Sequence, residues 1–529
     1  MEPAVTSSQS RKTYSAQSNR QQAGNHGRRW PYLLLGPAAA LFFYVHLFRF
    51  PALPIWHWGS QSTYLEHAER MLHGEVLYRD LFQFNLPGTE YLYYFLFRCF
   101  GVCLWIAPLA LLLASVAITL LVYSLSRVVL QGAAALLPTV AFLVVCQRTS
   151  IDGSHHWYST LLVLLAINLI ARASNWVSVS FAGALLGLAT LFTSSRGTFV
   201  MVSVVLFFIW KFRDWRNSSK AIAAVLVPFI VVVGSALTYF AILGGPGTLF
   251  ESVVIFPLHY YPAGDANSPS IFFEELLSAL PLRPVSVLLG ALWLSVNAAV
   301  PVILIAFFPR WFRKNDVKLG NQPLNANLAL YALAGTFAML AAAGAPSSPR
   351  LKCAAAFAYL LGAFMLQRIG GHRLVGMALA AVSAIGVAEL ADAVIRPVQI
   401  VQGPRGPVAL LNSDTYEYFA WVARSARPGD RLFGDPDLNF VLELKNPSKL
   451  PWVEADAYVR PGQVRALLDT LNQFDTRFIV CYDDTMNLPG PGDNLQPWRT
   501  YVKEHYQLAQ RFGNGMDVFV RNTARQITP

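Results

Sequence analysis

Long apolar runs fill most of the chain before residue 400 and constrain its fold more than any other feature. A helix needs about 20 consecutive apolar residues to cross the hydrocarbon core of a bilayer. Only 13% of the residues are charged, against about 25% in soluble domains. An α-helical polytopic membrane protein with about 11 transmembrane helices is therefore predicted, with spans at 31–48, 102–126, 130–146, 157–170, 176–192, 198–210, 221–243, 285–308, 324–343, 351–366 and 374–395.

Basic residues predict how these spans are oriented. They cluster in the N-terminal tail, 1–29, and in the loops 211–220, 310–318 and 368–373. An odd number of crossings puts all four segments on one side, which the positive-inside rule makes cytoplasmic. The N-terminus is thus expected inside and the C-terminus outside the cytoplasm. The formal net charge of +11 follows from these segments, so no nucleic-acid partner is predicted.

Composition also predicts the domain organisation. Residues 1–29 read as a disordered basic cytoplasmic tail, and 30–397 as a transmembrane domain with long external loops at 51–101 and 244–284. From 398 to 529 the apolar runs shorten and charged residues become frequent, which predicts a small extracytoplasmic α/β domain. Its expected elements are helices at 415–427 and 463–474, strands at 431–434 and 477–482, and two strands between 507 and 520.

The first external loop, 51–101, contains an ordered series of motifs. Helical spacing over 64–73 puts Leu65 and Ala68 on one face and Glu66 and Glu69 on the other, as in a helix lying flat on a membrane. Tyr-Arg-Asp at 78–80 and Pro-Gly at 87–88 follow. An aromatic stretch at 91–97 then predicts a second surface segment, because Tyr and Trp favour the membrane interface.

This order of motifs resembles the GT-C glycosyltransferases of the protein O-mannosyltransferase and lipid A aminoarabinose transferase type, a group that includes glycosyltransferase family 39. The resemblance implies a GT-C-like transmembrane domain over 30–397 and an enzyme of the cell envelope. It implies transfer of a hexose or pentose from a polyprenyl-phosphate carrier to a lipid, glycan or protein acceptor. With the lack of a cleavable signal, it also implies a multi-pass protein of the inner (plasma) membrane, with the C-terminal domain periplasmic or extracellular.

This chain departs from the resembling family at the position of the expected catalytic base. Relatives carry an acidic pair just before the first surface helix, where this chain has Ser60 and Gln61. A carboxylate is needed to accept the proton of the attacking hydroxyl, and Asp80 and Asp152 are the candidates. Alternatively, Asp80 caps a helix or pairs with Arg79, and Asp152 belongs to an ordinary Asp-Gly turn.

A lipid-phosphate leaving group calls for cations or hydrogen-bond donors nearby. The candidate substrate-binding residues are Arg79, His155, His156, Arg196, His259 and Tyr260. Arg196 stands out because basic residues are disfavoured in an external turn, although an interfacial anchor is the alternative. We expect Asp80, Asp152 and Arg196 to face one external cavity.

No metal site and no cofactor are predicted, although the adjacent histidines leave room for a divalent metal ion. The five cysteines show no CxxC spacing. Two other functions stay open. A transporter or lipid flippase would place ionisable groups near the bilayer midplane, where this chain has few. A catalytically inactive relative would bind a lipid-linked sugar without transferring it.

Overall fold

The computed structural model describes residues 30–148, 151–212, 214–261, 298–307, 318–319, 322–323, 325–343, 348–490 and 492–522. The predicted tail at 1–29, the loop 244–284 beyond Tyr261, most of the predicted span at 285–308 and most of the basic loop 310–318 lie outside these residues.

Apolar helices dominate the chain before residue 400, as expected of a membrane protein. Within the described residues, five are long and apolar enough to cross a bilayer: Trp30–Leu47, Ile106–Val129, Ser194–Lys211, Trp215–Gly244 and Ala355–Ile395. The other helices of this part are His155–Arg172, Trp176–Phe192, Pro246–Phe250, Ala298–Phe307, Asn325–Leu340 and Ser348–Lys352.

Three predicted spans take less regular forms. The run at 130–146 divides into a 3-10 turn, a short α-helix and a π-helix, at Gly132–Ala135, Leu137–Ala141 and Phe142–Gln147. The runs at 351–366 and 374–395 form the single stretch Ala355–Ile395, which breaks at Gly371 with a φ of 63°. A second π-helix, Glu251–Tyr260, begins the second long loop.

Both predicted surface segments of the first external loop are helical. After the hairpin strands Phe48–Arg49 and Leu53–Pro54, the first surface helix spans Gln61–Leu72 and the second spans Gly88–Phe100. The polar face of the first surface helix does not lie open to solvent. Glu66 is 4% exposed, and Glu69 pairs with Arg405 of the C-terminal segment. The helix is therefore covered by protein on the face expected to meet water.

The C-terminal segment is a small mixed α/β structure. Its four-stranded sheet has the order Leu432–Phe433, Phe478–Tyr482, Met516–Arg521 and Tyr506–Arg511; the first pair is parallel and the other pairs are antiparallel. Two-stranded hairpins lie at Gln399–Gly403 with Gly406–Leu410, and at Lys318–Leu319 with Gln322–Pro323. The helices are Ser413–Ser425, Pro436–Leu442, Pro461–Gln473, Asp483–Asn487 and Gln496–His505.

The C-terminal segment shares its hydrophobic core with the external loops. Tyr64 and Phe97 of the surface helices belong to the same buried cluster as Tyr418 and Phe440. Phe256 of the second π-helix is likewise buried in a cluster with C-terminal residues. Burial of large aromatic side chains is a strong stabilising contribution. These contacts hold the C-terminal segment over the first surface helix, next to the ends of the apolar helices.

Candidate functional site

A cavity of about 840 Å³ lies where the external loops, the helix ends and the C-terminal segment meet. We call it the central cavity. Its walls include Ser60, Tyr64 and Asn85 of the first external loop, His155, His156 and Arg196 at the starts of two apolar helices, Tyr261, Arg350, and Trp452, Glu454 and Tyr458 of the C-terminal segment. This volume is typical of small-molecule sites.

Asp152 lies directly behind Ser60 on the wall of the central cavity. The Ser60 hydroxyl lies 3.5 Å from Oδ2 of Asp152, and the Ser154 backbone N–H donates to Oδ1 at 3.2 Å. Burial raises the pKa of Asp152, while its hydrogen bonds with Ser154 and Ser60 oppose that rise. A buried carboxylate with a raised pKa is a stronger base than one in water.

Two glycines make this close packing possible. A Cβ atom at Gly59 would lie 2.7 Å from Oδ2 of Asp152. A Cβ atom at Gly153 would lie 2.4 Å from the Tyr93 hydroxyl. The Gly153 N–H donates to Oε1 of Gln61 at 2.9 Å. Gln61 and Ser60 therefore both hold the loop that carries Asp152.

The cationic wall is organised around Arg196, which is 3% exposed. Its Nη1 donates to the His156 carbonyl at 2.8 Å, and its Nη2 lies 3.2 Å from His156 Nδ1. Because a guanidinium has only donors, Nδ1 of His156 accepts this bond. A neutral His156 then carries its proton on Nε2, which is left as a donor. Arg350 adds a second guanidinium, stacked 5.3 Å from the centre of the Tyr261 ring.

A chain of hydrogen bonds joins His155 to the first external loop. Asn85 Nδ2 donates to the Tyr64 hydroxyl at 3.1 Å, and that hydroxyl lies 2.5 Å from His155 Nδ1. The rings of His155 and His156 lie 4.0 Å apart between centroids. The two histidines are thus fixed by different partners although they are adjacent in the chain.

One wall of the central cavity is apolar. It includes Phe199, Val253, Pro257, Leu258 and Leu340. Phe199 and Leu258 are 38% and 67% exposed. Exposed apolar side chains at the end of membrane helices suit contact with lipid rather than water. The cavity therefore joins a polar, cation-lined end to an apolar side.

The structure does not bring Arg79 and Asp80 to the central cavity. Their side chains form an ion pair of 2.7 Å, and the Val76 N–H donates to Asp80 Oδ2 at 2.9 Å. The Arg79 guanidinium holds the pKa of Asp80 below its usual range. The expected convergence of Asp80, Asp152 and Arg196 on one cavity is not observed. Arg196 lines the central cavity, Asp152 lies behind Ser60, and Asp80 fixes its own turn.

His259 and Tyr260 also lie outside the walls of the central cavity. His259 is exposed and its Nδ1 lies 3.3 Å from the Ile255 carbonyl of the same π-helix. Tyr260 stacks on Phe256 and contacts Arg460. The next residue, Tyr261, lines the cavity instead.

Arg350 was not among the sequence candidates, yet a signal for it exists. It precedes the predicted span at 351–366, in a turn that the predicted topology puts outside the cytoplasm. This is the argument that singled out Arg196. Glu454 and Tyr458 had no comparable local signal. Within the described part of the chain, no three His, Cys, Asp or Glu side chains are grouped to hold a metal ion.

Comparisons with known proteins bear on the fold. No family model and no curated protein matches this sequence. The structure is similar to the crystal structure of the Archaeoglobus fulgidus oligosaccharyltransferase in complex with Zn and sulfate, with a TM-score of 0.51 and 14% identity over 92% of this chain and 73% of that one. The apo form of the same protein gives a TM-score of 0.49 and 14% identity, over 94% of this chain and 75% of that one.

The TM-score of 0.51 supports a similarity of fold. The chain is a membrane protein whose fold is similar to that of an archaeal oligosaccharyltransferase, a membrane glycosyltransferase of the GT-C type.

Proposed function

We propose that this protein is a membrane glycosyltransferase that moves a hexose or pentose from a polyprenyl-phosphate carrier to a hydroxyl acceptor on the extracytoplasmic face. The observation that carries the proposal is the central cavity. It combines two guanidinium groups, an apolar side and a buried carboxylate behind the same wall. The fold similarity to an oligosaccharyltransferase supports glycosyl transfer as the general reaction.

The cationic wall suits the phosphate of the donor. Arg196 and Arg350 present donors to the phosphate oxygens, and the Nε2 proton of His156 adds another. Charge-assisted hydrogen bonds of this kind stabilise the negative charge that grows on a leaving phosphate. The polyprenyl chain of the bound donor would extend from the central cavity along the apolar wall, past Phe199 and Leu258.

Asp152 is the proposed base. The acceptor oxygen forms a bond to the anomeric carbon while the bond from that carbon to the phosphate oxygen breaks. The bonding electrons go to the phosphate, and the hydroxyl proton goes to the Asp152 carboxylate, directly or through the Ser60 hydroxyl. Attack from the side opposite the phosphate inverts the anomeric centre. Ser60 and Gln61 serve as positioning residues, because each holds the loop of Asp152.

The predicted topology also gives the location of the reaction. With the N-terminus in the cytoplasm and the C-terminal segment outside, the central cavity opens at the external surface of an inner (plasma) membrane. The donor sugar then meets an acceptor of the cell envelope there. Supporting this topology, basic residues of the chain cluster in segments on the opposite side.

The test uses the full-length protein in lipid nanodiscs. Decaprenyl-phosphate and undecaprenyl-phosphate donors carrying labelled mannose, glucose, arabinose or aminoarabinose are supplied with an extract of cell-envelope glycans and lipids. We expect one donor to lose its label to an acceptor and to release the polyprenyl phosphate. Uptake of labelled solutes into proteoliposomes without transfer from any donor would instead indicate a transporter. Tight donor binding without turnover would indicate an inactive relative.

A further inference from the structure

A second cavity, of about 870 Å³, lies between the start of the first surface helix and the C-terminal segment. We call it the outer cavity. Three aromatic side chains line it: Trp58, Trp452 and Tyr482. Trp58 and Tyr482 are 44% and 47% exposed, so part of each ring is open to a ligand.

The outer cavity shares a wall with the central cavity. Ser60, Thr63, Trp452 and Glu454 line both. Gly59 also lines the outer cavity, and it is the residue packed against the Asp152 carboxylate. The carboxylate of the proposed base therefore lies behind Gly59 and Ser60, at the wall that the two cavities share.

The two cavities differ in charge. Among the described residues that line the outer cavity there is no Lys, Arg or His, while the carboxylates are Asp435, Asp437, Glu454, Asp456 and Asp484. The central cavity instead contains Arg196 and Arg350. A phosphate meets two guanidinium groups in the central cavity and no cation among the described residues that line the outer one, so the central cavity is the better site for it.

Two carboxylates of the outer cavity, those of Asp435 and Asp437, are held in place by hydrogen bonds. Trp56 Nε1 donates to Asp437 Oδ1 at 2.6 Å, and Ser62 donates to the same oxygen. The Tyr418 hydroxyl donates to Asp435 Oδ2 at 2.6 Å. Burial raises the pKa of Asp435 and of Asp437, and it raises that of Glu454 to about 7. Near neutral pH the Glu454 carboxyl can therefore either donate a hydrogen bond to a polar ligand or accept one from it.

We propose that the outer cavity binds the acceptor, and that this acceptor is a carbohydrate carrying hydroxyl groups and no negative charge. Aromatic faces pack against the apolar faces of sugar rings, and fixed carboxylates accept hydrogen bonds from sugar hydroxyls. The inference rests on the proposed glycosyl transfer and adds the chemical class of the acceptor. A hydroxyl bound beside Ser60 meets Asp152 on one side and the donor sugar on the other.

The experiment compares neutral and anionic acceptors with the donor that the wild-type protein uses. The probes are fluorescently labelled neutral oligosaccharides and the same oligosaccharides oxidised at C6 to uronic acids. We expect the kcat/KM for the neutral oligosaccharides to be at least about 100-fold higher than that for the oxidised ones. The charge-reversal variant Asp484→Lys should narrow that ratio. Equal transfer to both sets by the wild-type protein would overturn the acceptor class.

A second measurement separates the outer cavity from the donor site. Trp58→Ala should raise the KM for the acceptor about tenfold, while the Kd for decaprenyl phosphate stays unchanged. Trp215→Ala, at a tryptophan that is 74% exposed and lies outside both cavities, is the matched control. A Trp58→Ala variant that loses decaprenyl-phosphate binding and keeps its acceptor KM would overturn the proposal. If the wild-type protein transfers no sugar at all, the proposed function itself fails, and this inference fails with it.

Discussion

The Ser60 hydroxyl lies 3.5 Å from the Oδ2 atom of Asp152, a residue 92 positions further along the chain. Ser60 lines the central cavity, so the Asp152 carboxylate lies directly behind the wall of the cavity that contains Arg196 and Arg350. This relationship is the basis for assigning the base to Asp152, and several measurements can test it.

Gly59→Ala tests whether the position of the carboxylate matters. The added Cβ atom would lie 2.7 Å from Asp152 Oδ2, so the carboxylate must move. Because misplacement of a catalytic group by about 1 Å costs about 100-fold in rate, we expect kcat to fall by about that factor. Gly36→Ala is the control, since a Cβ atom there meets nothing within 4 Å. Equal activity of both variants would argue against Asp152.

Arg350→Gln tests the cationic wall. Loss of one guanidinium should weaken binding of decaprenyl phosphate by about ten- to a hundredfold, because charge-assisted hydrogen bonds contribute about 1.5–3 kcal/mol each. Binding is measured by titration of the protein in nanodiscs. Arg424→Gln serves as the control, because Arg424 Nε donates only within its own helix, to the Ala420 carbonyl at 3.1 Å. Unchanged affinity in Arg350→Gln would remove Arg350 from the donor site.

The pH dependence of kcat/KM tests the protonation of Asp152. Activity requires the ionised carboxylate, and burial raises the pKa of Asp152, so activity should fall with decreasing pH at values above the usual Asp range. The hydrogen bond from Ser60 stabilises the ionised form and lowers this pKa. Ser60→Ala should therefore shift the acidic limb to higher pH, whereas Ser219→Ala, at a partly buried serine that lines neither cavity, should leave it in place. A shift to lower pH in Ser60→Ala would contradict the assignment.

Thermal stability should respond to the carboxylate of Glu454. Burial raises its folded-state pKa to about 7 from 4.5, so the folded state binds the proton more tightly than the unfolded state. Stability from this group is present below the unfolded value and is lost as pH rises through about 7. The wild-type protein should therefore lose stability between pH 5 and pH 8 while Glu454→Gln does not. The Tm of the variant minus that of the wild-type protein should increase over this range. A constant difference would show that the carboxyl does not titrate in this range.

Local periodicity predicted the surface helices and much of the C-terminal segment. The first surface helix was expected over 64–73 and spans Gln61–Leu72, because its apolar and charged faces alternate with helical spacing. The strand expected at 477–482 spans Phe478–Tyr482, since a short buried run after a helix has few other interpretations. The hairpin Gln399–Gly403 with Gly406–Leu410 was missed, because it follows directly from a long apolar helix.

Contacts between distant segments were not predictable in this way. The pairing of Ser60 with Asp152 and the cover over Glu66 depend on tertiary packing, which no local pattern encodes. Asp80 illustrates the opposite case. The sequence allowed Asp80 to be either a catalytic base or an ion-pair partner of Arg79, and the structure shows the ion pair. Arg350 could have been predicted from the sequence, because the positive-inside rule disfavours a basic residue in an external turn, as it does for Arg196.

The most direct test of the central claim is the rate of sugar transfer from a decaprenyl-phosphate donor by matched carboxylate variants. Because general-base catalysis contributes about 10²- to 10⁴-fold, Asp152→Asn should lose that much in single-turnover rate and still bind donor. Asp80→Asn should keep the wild-type rate, since Asp80 pairs with Arg79 outside the central cavity. Full transfer by Asp152→Asn, or loss of transfer in Asp80→Asn alone, would contradict the account.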